Sequence, residues 1–251
     1  MDIITALESD PMDANKVHVF IDGKHAFVLA IDVVASELLY TGQSCPPDKV
    51  QRLQNLQAQQ QTYEAALVFL SYRPRSTREV EQRLRKKGHE PEQIEATIAR
   101  LRKIGLIDDS AFSRSWINNR QTISPRGPSL LRSELRQKGV PKEIVDNAMS
   151  EYQEKQAEQV EESNQVAADH GITYDEPPPG SDEASALMLA RKRMRILSNY
   201  DPIIQKRRLT AFLARRGYNY STIGPVLQRV LKPAAPEEDE EEGGYELFDG
   251  D

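Results

Sequence analysis

A leucine, a charged cluster and a glycine recur three times in this chain, ending at Gly88 (RLRKKG), Gly139 (LRQKG) and Gly217 (LARRG). Superposing the three glycines exposes a longer pattern. Eight residues upstream lie Val80, Leu131 and Leu209, and four upstream lie Leu84, Leu135 and Leu213. Six residues downstream lie Ile94, Val145 and Ile223, and ten downstream lie Ile98, Met149 and Leu227. A spacing of four on either side of a glycine is the signature of two helices that each bury one face and meet where the first one stops. Only 38% of the residues are hydrophobic, so coincidence does not supply twelve apolar matches. The chain reads as three tandem three-helix units, each contributing one helix pair joined at its glycine. Their first helices are expected in YEAALVFLSY, DDSAFSRSWINNRQ and DEASALMLARKRMRIL.

Local signals sharpen the first unit. Ser76 and Glu79 form a capping box, in which each side chain satisfies a free amide of the first helical turn. Pro91 stands at a first-turn position of the next helix, and Gly105 closes it. Ahead of the repeats, Val17–Ile21 and Lys24–Ile31 flank Asp22-Gly23, the dipeptide favoured in a two-residue hairpin turn. A hairpin of this size is not stable alone and must pack on the first helices. Asp32 can cap a helix running through VVASELLYTG to Gly42.

The expected segments are a hairpin-plus-helix region at 1–61, three-helix repeats at 62–107, 108–152 and 182–232, an acidic flexible linker at 153–181 and a disordered acidic tail at 233–251. Charge follows these boundaries. The net charge of −6 resolves into −4 for residues 1–61, +6 for 62–150, −7 for 151–181, +8 for 182–232 and −9 for 233–251. Two basic blocks are thus separated by one acidic stretch and followed by another.

The chemistry of catalysis is missing from the sequence. Phosphate-binding glycine loops, a GxSxG elbow and HExxH are all absent. Asp108-Asp109 is a paired carboxylate in the repeats, and it directly precedes an expected helix, where a cap and a first-turn acid belong. A single cysteine, Cys45, with four histidines and no CxxC leaves little for zinc. His18 and His25 share the hairpin without a third ligand candidate, so no metal or cofactor is expected. The first residues lack the basic-then-apolar order of a signal peptide, and no apolar run approaches the ~20 residues of a membrane span. A non-enzymatic, cytoplasmic protein with no membrane association is expected.

Binding remains. Arg73, Arg75, Arg78, Arg83, Arg85, Lys86 and Lys87 crowd the first unit, and Arg126, Arg132, Arg136 and Lys138 mark the second. The third holds RKRMR and QKRR. Lys87, Lys138 and Arg216, each preceding a glycine, need only complement a helix C-terminus. Cations along the whole length of the helices need another explanation, either nucleic-acid phosphates or an acidic protein surface. Phe112 and Trp116, four apart on a helix, read as core rather than as a base-stacking platform.

The stretch from ALVFLSYRPRSTREVEQRLRKKG through GLIDDSAF to GPSLLRSELRQKG resembles the RecX family, regulators of the RecA recombinase. The segment VFIDGKHAFVL is similar to one carried by many members. The third unit matches mainly through spacing, Ala111 stands where the family usually has an arginine, and the acidic insert and tail are not usual for it. The resemblance implies a mainly α fold of about three three-helix repeats in an elongated, curved arrangement, with a small N-terminal β-hairpin. It also implies a monomer that binds the groove of the RecA–DNA filament, reaching single-stranded or duplex DNA through the filament. Such binding mostly inhibits ATP hydrolysis, strand exchange and co-protease activity. Clustering alone selects Arg73, Arg75, Arg83, Lys86, Lys87, Arg126, Arg132, Arg136 and Lys138 as the face that would meet RecA or DNA. The acidic run Glu237–Glu242 either competes for that basic surface or serves solubility. The competing expectation is a stand-alone helix-turn-helix-like DNA-binding protein.

Overall fold

The structure is a computed structural model that describes residues 2–170 and 176–231; the expected tail at 233–251 lies outside the described residues. It divides into two compact units: Met1–Asn119 with Arg132–Tyr152, and Arg120–Leu131 with the chain from Gln153 onward.

The first unit opens with an antiparallel sheet in the order β1 (Ile4–Ser9), β2 (Lys16–Ile21), β3 (Lys24–Ala30). The expected β2–β3 hairpin is present, and Asp22 and Gly23 both take positive φ (51° and 76°) as its two-residue turn requires. The third strand, β1, extends the expected hairpin to a three-stranded sheet. Its sequence ITALES contains helix formers, and pairing with β2, with Ile4 opposite Ile21 and Glu8 opposite His18, makes it a strand. Ile4, Val19 and Leu29 are fully buried and meet Cys45 and Leu53 on the same face. The helix α1 is also shorter than expected, spanning Ile31–Ser36 rather than reaching Gly42. Leu38 enters the left-handed region (φ 47°) soon after it, and no further turn can add.

Helix α2 runs unbroken from Pro47 to Leu70. The first helix of repeat 1 is therefore the last third of a longer rod, and the expected boundary at residue 61 falls inside it. The reason is physical: the intervening LQNLQAQQQ contains no breaker and is built of good helix formers. Leu53 lies in the sheet core, whereas Ala66 lies in a second core with Val80, Leu84, Ile94, Ile98, Leu101 and Ile107. Helices α3 (Thr77–Lys86) and α4 (Pro91–Lys103) complete repeat 1. The second repeat comprises α5 (Asp109–Ile123), α6 (Pro128–Gln137) and α7, which extends from Lys142 to Asp169. The first half of the expected flexible linker is thus helix. In the second unit, α8 (Asp182–Leu197), α9 (Pro202–Arg215) and α10 (Tyr220–Leu231) form repeat 3 around Ala186, Ala190, Leu209, Leu213 and Ile223.

All twelve residues of the glycine superposition are buried, none more than 7% exposed. The three glycines adopt φ of 85°, 77° and 89°. Behind each, the following amide donates to the leucine carbonyl five residues back: His89 to Leu84, Val140 to Leu135 and Tyr218 to Leu213, each at 3.2 Å. This is the helix-ending turn that only glycine enters without strain.

These turns also have a second partner. Ser76, the N-cap of α3, donates its hydroxyl to the carbonyl of Lys138 at 2.6 Å. Gly127 occupies the matching place before α6, and its amide donates to the carbonyl of Arg216 at 2.8 Å. The carbonyl just before the glycine of one repeat therefore accepts from the residue that opens the second helix of the repeat before it. A Cβ on Gly127 would overlap the backbone of Gly217 and Tyr218, so the two backbones touch. A Cβ on Gly88 would meet only open space. The third repeat departs from this plan, since α9 starts about one turn earlier relative to its glycine than α3 and α6 do.

Gly88→Ala should therefore cost only the left-handed backbone strain, ~1 kcal/mol. Gly127→Ala, although φ is not the obstacle, should cost about 3 kcal/mol because two backbones must separate. Urea unfolding midpoints of the two variants check the order.

Candidate functional site

The first turn of α3 is the most heavily bonded place in repeat 1. Ser76 Oγ accepts from the Glu79 amide at 3.2 Å, and Glu79 Oε2 accepts from the Ser76 amide at 3.3 Å, completing the capping box. Asp109, almost fully buried at the start of α5, accepts from the Thr77 amide at 2.8 Å. Its neighbour Asp108 caps α5 itself, accepting from Ser110 and Ala111 at 2.7 and 3.1 Å. Both carboxylates thus close helix starts, as the sequence led us to expect, although Asp109 serves a helix of the preceding repeat.

Glu79 does more than cap. Its Oε1 accepts from Arg73 Nη2 and from Lys138 Nζ, both at 2.9 Å, with only 15% of the Glu79 side chain exposed. Burial pushes its pKa up, but hydrogen bonds from Arg73 and Lys138 outweigh this and hold the carboxyl below its ordinary value. Arg73 also donates to the Pro74 carbonyl at 2.9 Å. The Lys138 ammonium lies 5.0 Å from the Trp116 ring centre, and Trp116 donates its indole N–H to buried Glu134 at 2.9 Å. The aliphatic stem of Arg78 fills the place where a Cβ of Gly139 would stand. Arg73 and Lys138 are therefore fastened at the repeat contact, whereas Arg78 lays its stem against it and remains exposed. Phe112 is buried, and its ring centre lies 5.8 Å from that of half-buried Trp116.

The last turn of α3 is different. Arg83, Arg85, Lys86 and Lys87 are all exposed, and among the described residues no carboxylate pairs with them. Phe69 of α2 acts as a platform, with the Arg75 guanidinium 4.2 Å and the Arg83 guanidinium 5.7 Å from its centre. Burial lowers the Arg75 pKa, and the neighbouring Arg73 lowers it further. In the same unit Arg136 is exposed at the end of α6 and Arg132 is half-buried.

In the second unit Arg126 is half-buried, its pKa lowered by burial and by Arg120 and Arg216. Arg126 stands at the same distance before Gly139 as Arg75 before Gly88, so both repeats desolvate the equivalent guanidinium. Arg216 donates to Ser124 Oγ at 2.7 Å. In repeat 3, Arg191 pairs with Glu176 at 2.7 Å and Arg208 lies 4.0 Å from the Tyr200 ring centre, while Lys206 and Arg207 are exposed.

Of the nine selected cations, Arg73, Arg75, Arg83, Lys86, Lys87, Arg132, Arg136 and Lys138 lie in the first unit and Arg126 in the second. Sequence reasoning missed the hub role of Glu79, although its place between two arginine-rich stretches was visible. It also missed Asp10, which accepts from His18 Nε2 at 3.1 Å while His18 Nδ1 lies 3.0 Å from His25 Nε2. Among the described residues no group of three or more His, Cys, Asp or Glu is placed to hold a metal, and no helix is long and apolar enough to cross a membrane.

Models of the first, second and third three-helix domains of RecX match residues 63–101, 108–149 and 181–227, just over half of the chain in all. A regulatory protein RecX of Prosthecochloris aestuarii is 30% identical over 66% of this chain and 91% of its own length. That of Bacillus pumilus is 25% identical over 96% and 82% respectively. The relative from Lactobacillus johnsonii is 29% identical over 62% of this chain, and there the match spans only 57% of the relative's length. A crystal structure of a regulatory protein RecX superposes with a TM-score of 0.70 at 22% identity, covering 90% of this chain and 98% of that one. The RecX of Lactobacillus salivarius superposes with a TM-score of 0.53, covering 69% and 96%. Both are similar in fold.

Because the Glu79 pKa is depressed in the folded state, its contribution is present above the ordinary value of 4.5 and lost as pH falls through the lower folded value. Glu79→Gln should cost about 2 kcal/mol near neutral pH. The gap to the parent protein should narrow as pH falls below 4.5, which urea titrations across that range would record.

Proposed function

Because the chain belongs to the RecX family, we propose that it regulates the RecA recombinase by binding the groove of the RecA–DNA filament. Bound there, it inhibits ATP hydrolysis, strand exchange and co-protease activity. It acts as a cytoplasmic monomer, by contact rather than catalysis, and touches single-stranded or duplex DNA only through the filament. The observation that carries this reading is the succession of all three RecX domains in order along one chain.

The local geometry supports a division of labour among the cations. Arg73 and Lys138 position the repeats through Glu79, so their charge is spent internally. The cluster left to meet a partner is Arg83, Arg85, Lys86 and Lys87, with Arg75 held on Phe69 beside it and Arg136 exposed in the same unit. Their counter-charge is DNA phosphate or an acidic surface of RecA. The stand-alone DNA-binding reading fares worse at these helices. In a helix-turn-helix the last helix presents its opening residues to the bases. Here α4 opens on exposed Glu90, Glu92 and Glu95, which repel phosphate.

Titration into a RecA reaction on single-stranded DNA tests the proposal. The protein should lower the rate of ATP hydrolysis, and reversing Arg83, Arg85, Lys86 and Lys87 to Glu should raise the concentration required by more than about tenfold. Unchanged hydrolysis with the parent protein, together with salt-sensitive binding to naked duplex, would favour the stand-alone reading instead.

A further inference from the structure

Just beyond the exposed cations at the end of α3 the sign of the charge reverses. Lys87 is followed by Gly88 and His89, and α4 then opens on Glu90, Glu92 and Glu95, all exposed. The first two belong at a helix start, where the dipole favours acids. Glu95 lies further in, and none of the three has a Lys or Arg three or four residues further along to pair with. Among the described residues no cation pairs with any of them. Against this acidic turn, within the same unit, lies a groove of about 550 Å³. Its polar walls are Asn55 and Gln59 of α2 and Glu90, Glu92 and Gln93 at the start of α4, while Pro91 and Ala96 supply apolar surface. Carboxylates and amide oxygens accept hydrogen bonds, and no cation lines the groove. Such walls suit a guanidinium or ammonium whose aliphatic stem lies on the proline and alanine.

We propose that this turn is a protein-docking surface: its partner sets an acidic patch against Arg83, Arg85, Lys86 and Lys87 and inserts a Lys or Arg side chain into the groove beside Glu90 and Glu92. That partner, on the RecA reading from which this follows, is a protomer of the filament and not the DNA inside it. Charge decides between the two. From Arg83 to Glu95 four cations stand against three carboxylates, which leaves a net charge of +1. Lys87 and Glu90 are three residues apart, at most about 11 Å along the chain, and the Debye length at physiological salt is about 8 Å. A polyanion lying on the cations therefore also feels the carboxylates, and much of its attraction cancels. A protein surface of alternating sign gains from both halves.

Binding of the fluorescently labelled full chain to RecA filaments on single-stranded DNA, and separately to the naked strand, tests this through the sign of the change. Glu92→Gln combined with Glu95→Gln should weaken filament binding by about tenfold, because the partner's cation loses its counter-charge. The same variant should bind the naked strand equally or more tightly. Gln59→Arg, at an exposed helical position, places a cation of the chain's own in the groove and should also weaken filament binding. Both changes keep good helix formers in place, so circular dichroism should be unchanged. With DNA as the occupant, both variants would bind the filament more tightly; that result, or no change, would overturn the proposal and leave the RecA reading standing. A parent protein that does not bind the filament at all would overturn both. Dimerisation of the parent that the double Gln variant loses would make a second copy the occupant, and would overturn the proposal alone.

Discussion

A helix leaves unsatisfied carbonyls at its end, and in this chain two carbonyls at helix ends accept from the residue that opens a helix of the preceding repeat. The residue opening α3 donates to the carbonyl before Gly139, and the residue opening α6 donates to the carbonyl before Gly217. The glycines are needed twice over for this. Positive φ lets the helix stop, and the missing Cβ lets the stopped end approach another element. The acceptor in both joints is backbone. One donor is a serine hydroxyl, which a substitution of Ser76 would remove, and the other is a glycine amide at a place where any side chain would collide with backbone.

The same joint explains which cations are structural. Lysine or arginine beside a C-terminal glycine is favourable in any helix. At Lys138 the stem brings the charge back to Glu79, and at Arg216 it reaches Ser124. Lys87 holds the equivalent place in repeat 1 without a preceding repeat to dock against, and it remains in solvent with Arg83, Arg85 and Lys86. A repeating array thus leaves charge exposed where its pattern runs out, and that charge is free to act on another molecule.

The helices and their cores were legible because helical periodicity records burial directly: all twelve apolar positions of the superposition are buried. Strand β1 was not, because ITALES has no β signature of its own and owes its conformation to β2. The ends of α2 and α7 are poorly marked in the sequence, since glutamine-rich and acidic stretches are compatible with both helix and loop. Which cations are bonded inside the repeats and which stay exposed was not legible. Sequence gives the number of charges, but the division between Arg73 or Lys138 and Lys86 or Lys87 depends on where Glu79 points, and its two partners lie 6 and 59 residues away.

Helix α2 joins two cores that would otherwise be neighbours only in sequence. Leu53 closes the sheet core and Ala66 the first repeat, while Gln57 between them accepts from the Ala30 amide at 2.6 Å, at the end of β3. Neither core can dissolve without fraying a rod on which the other depends. The sheet, too small to persist alone, therefore borrows the cooperativity of the repeat through this shared helix.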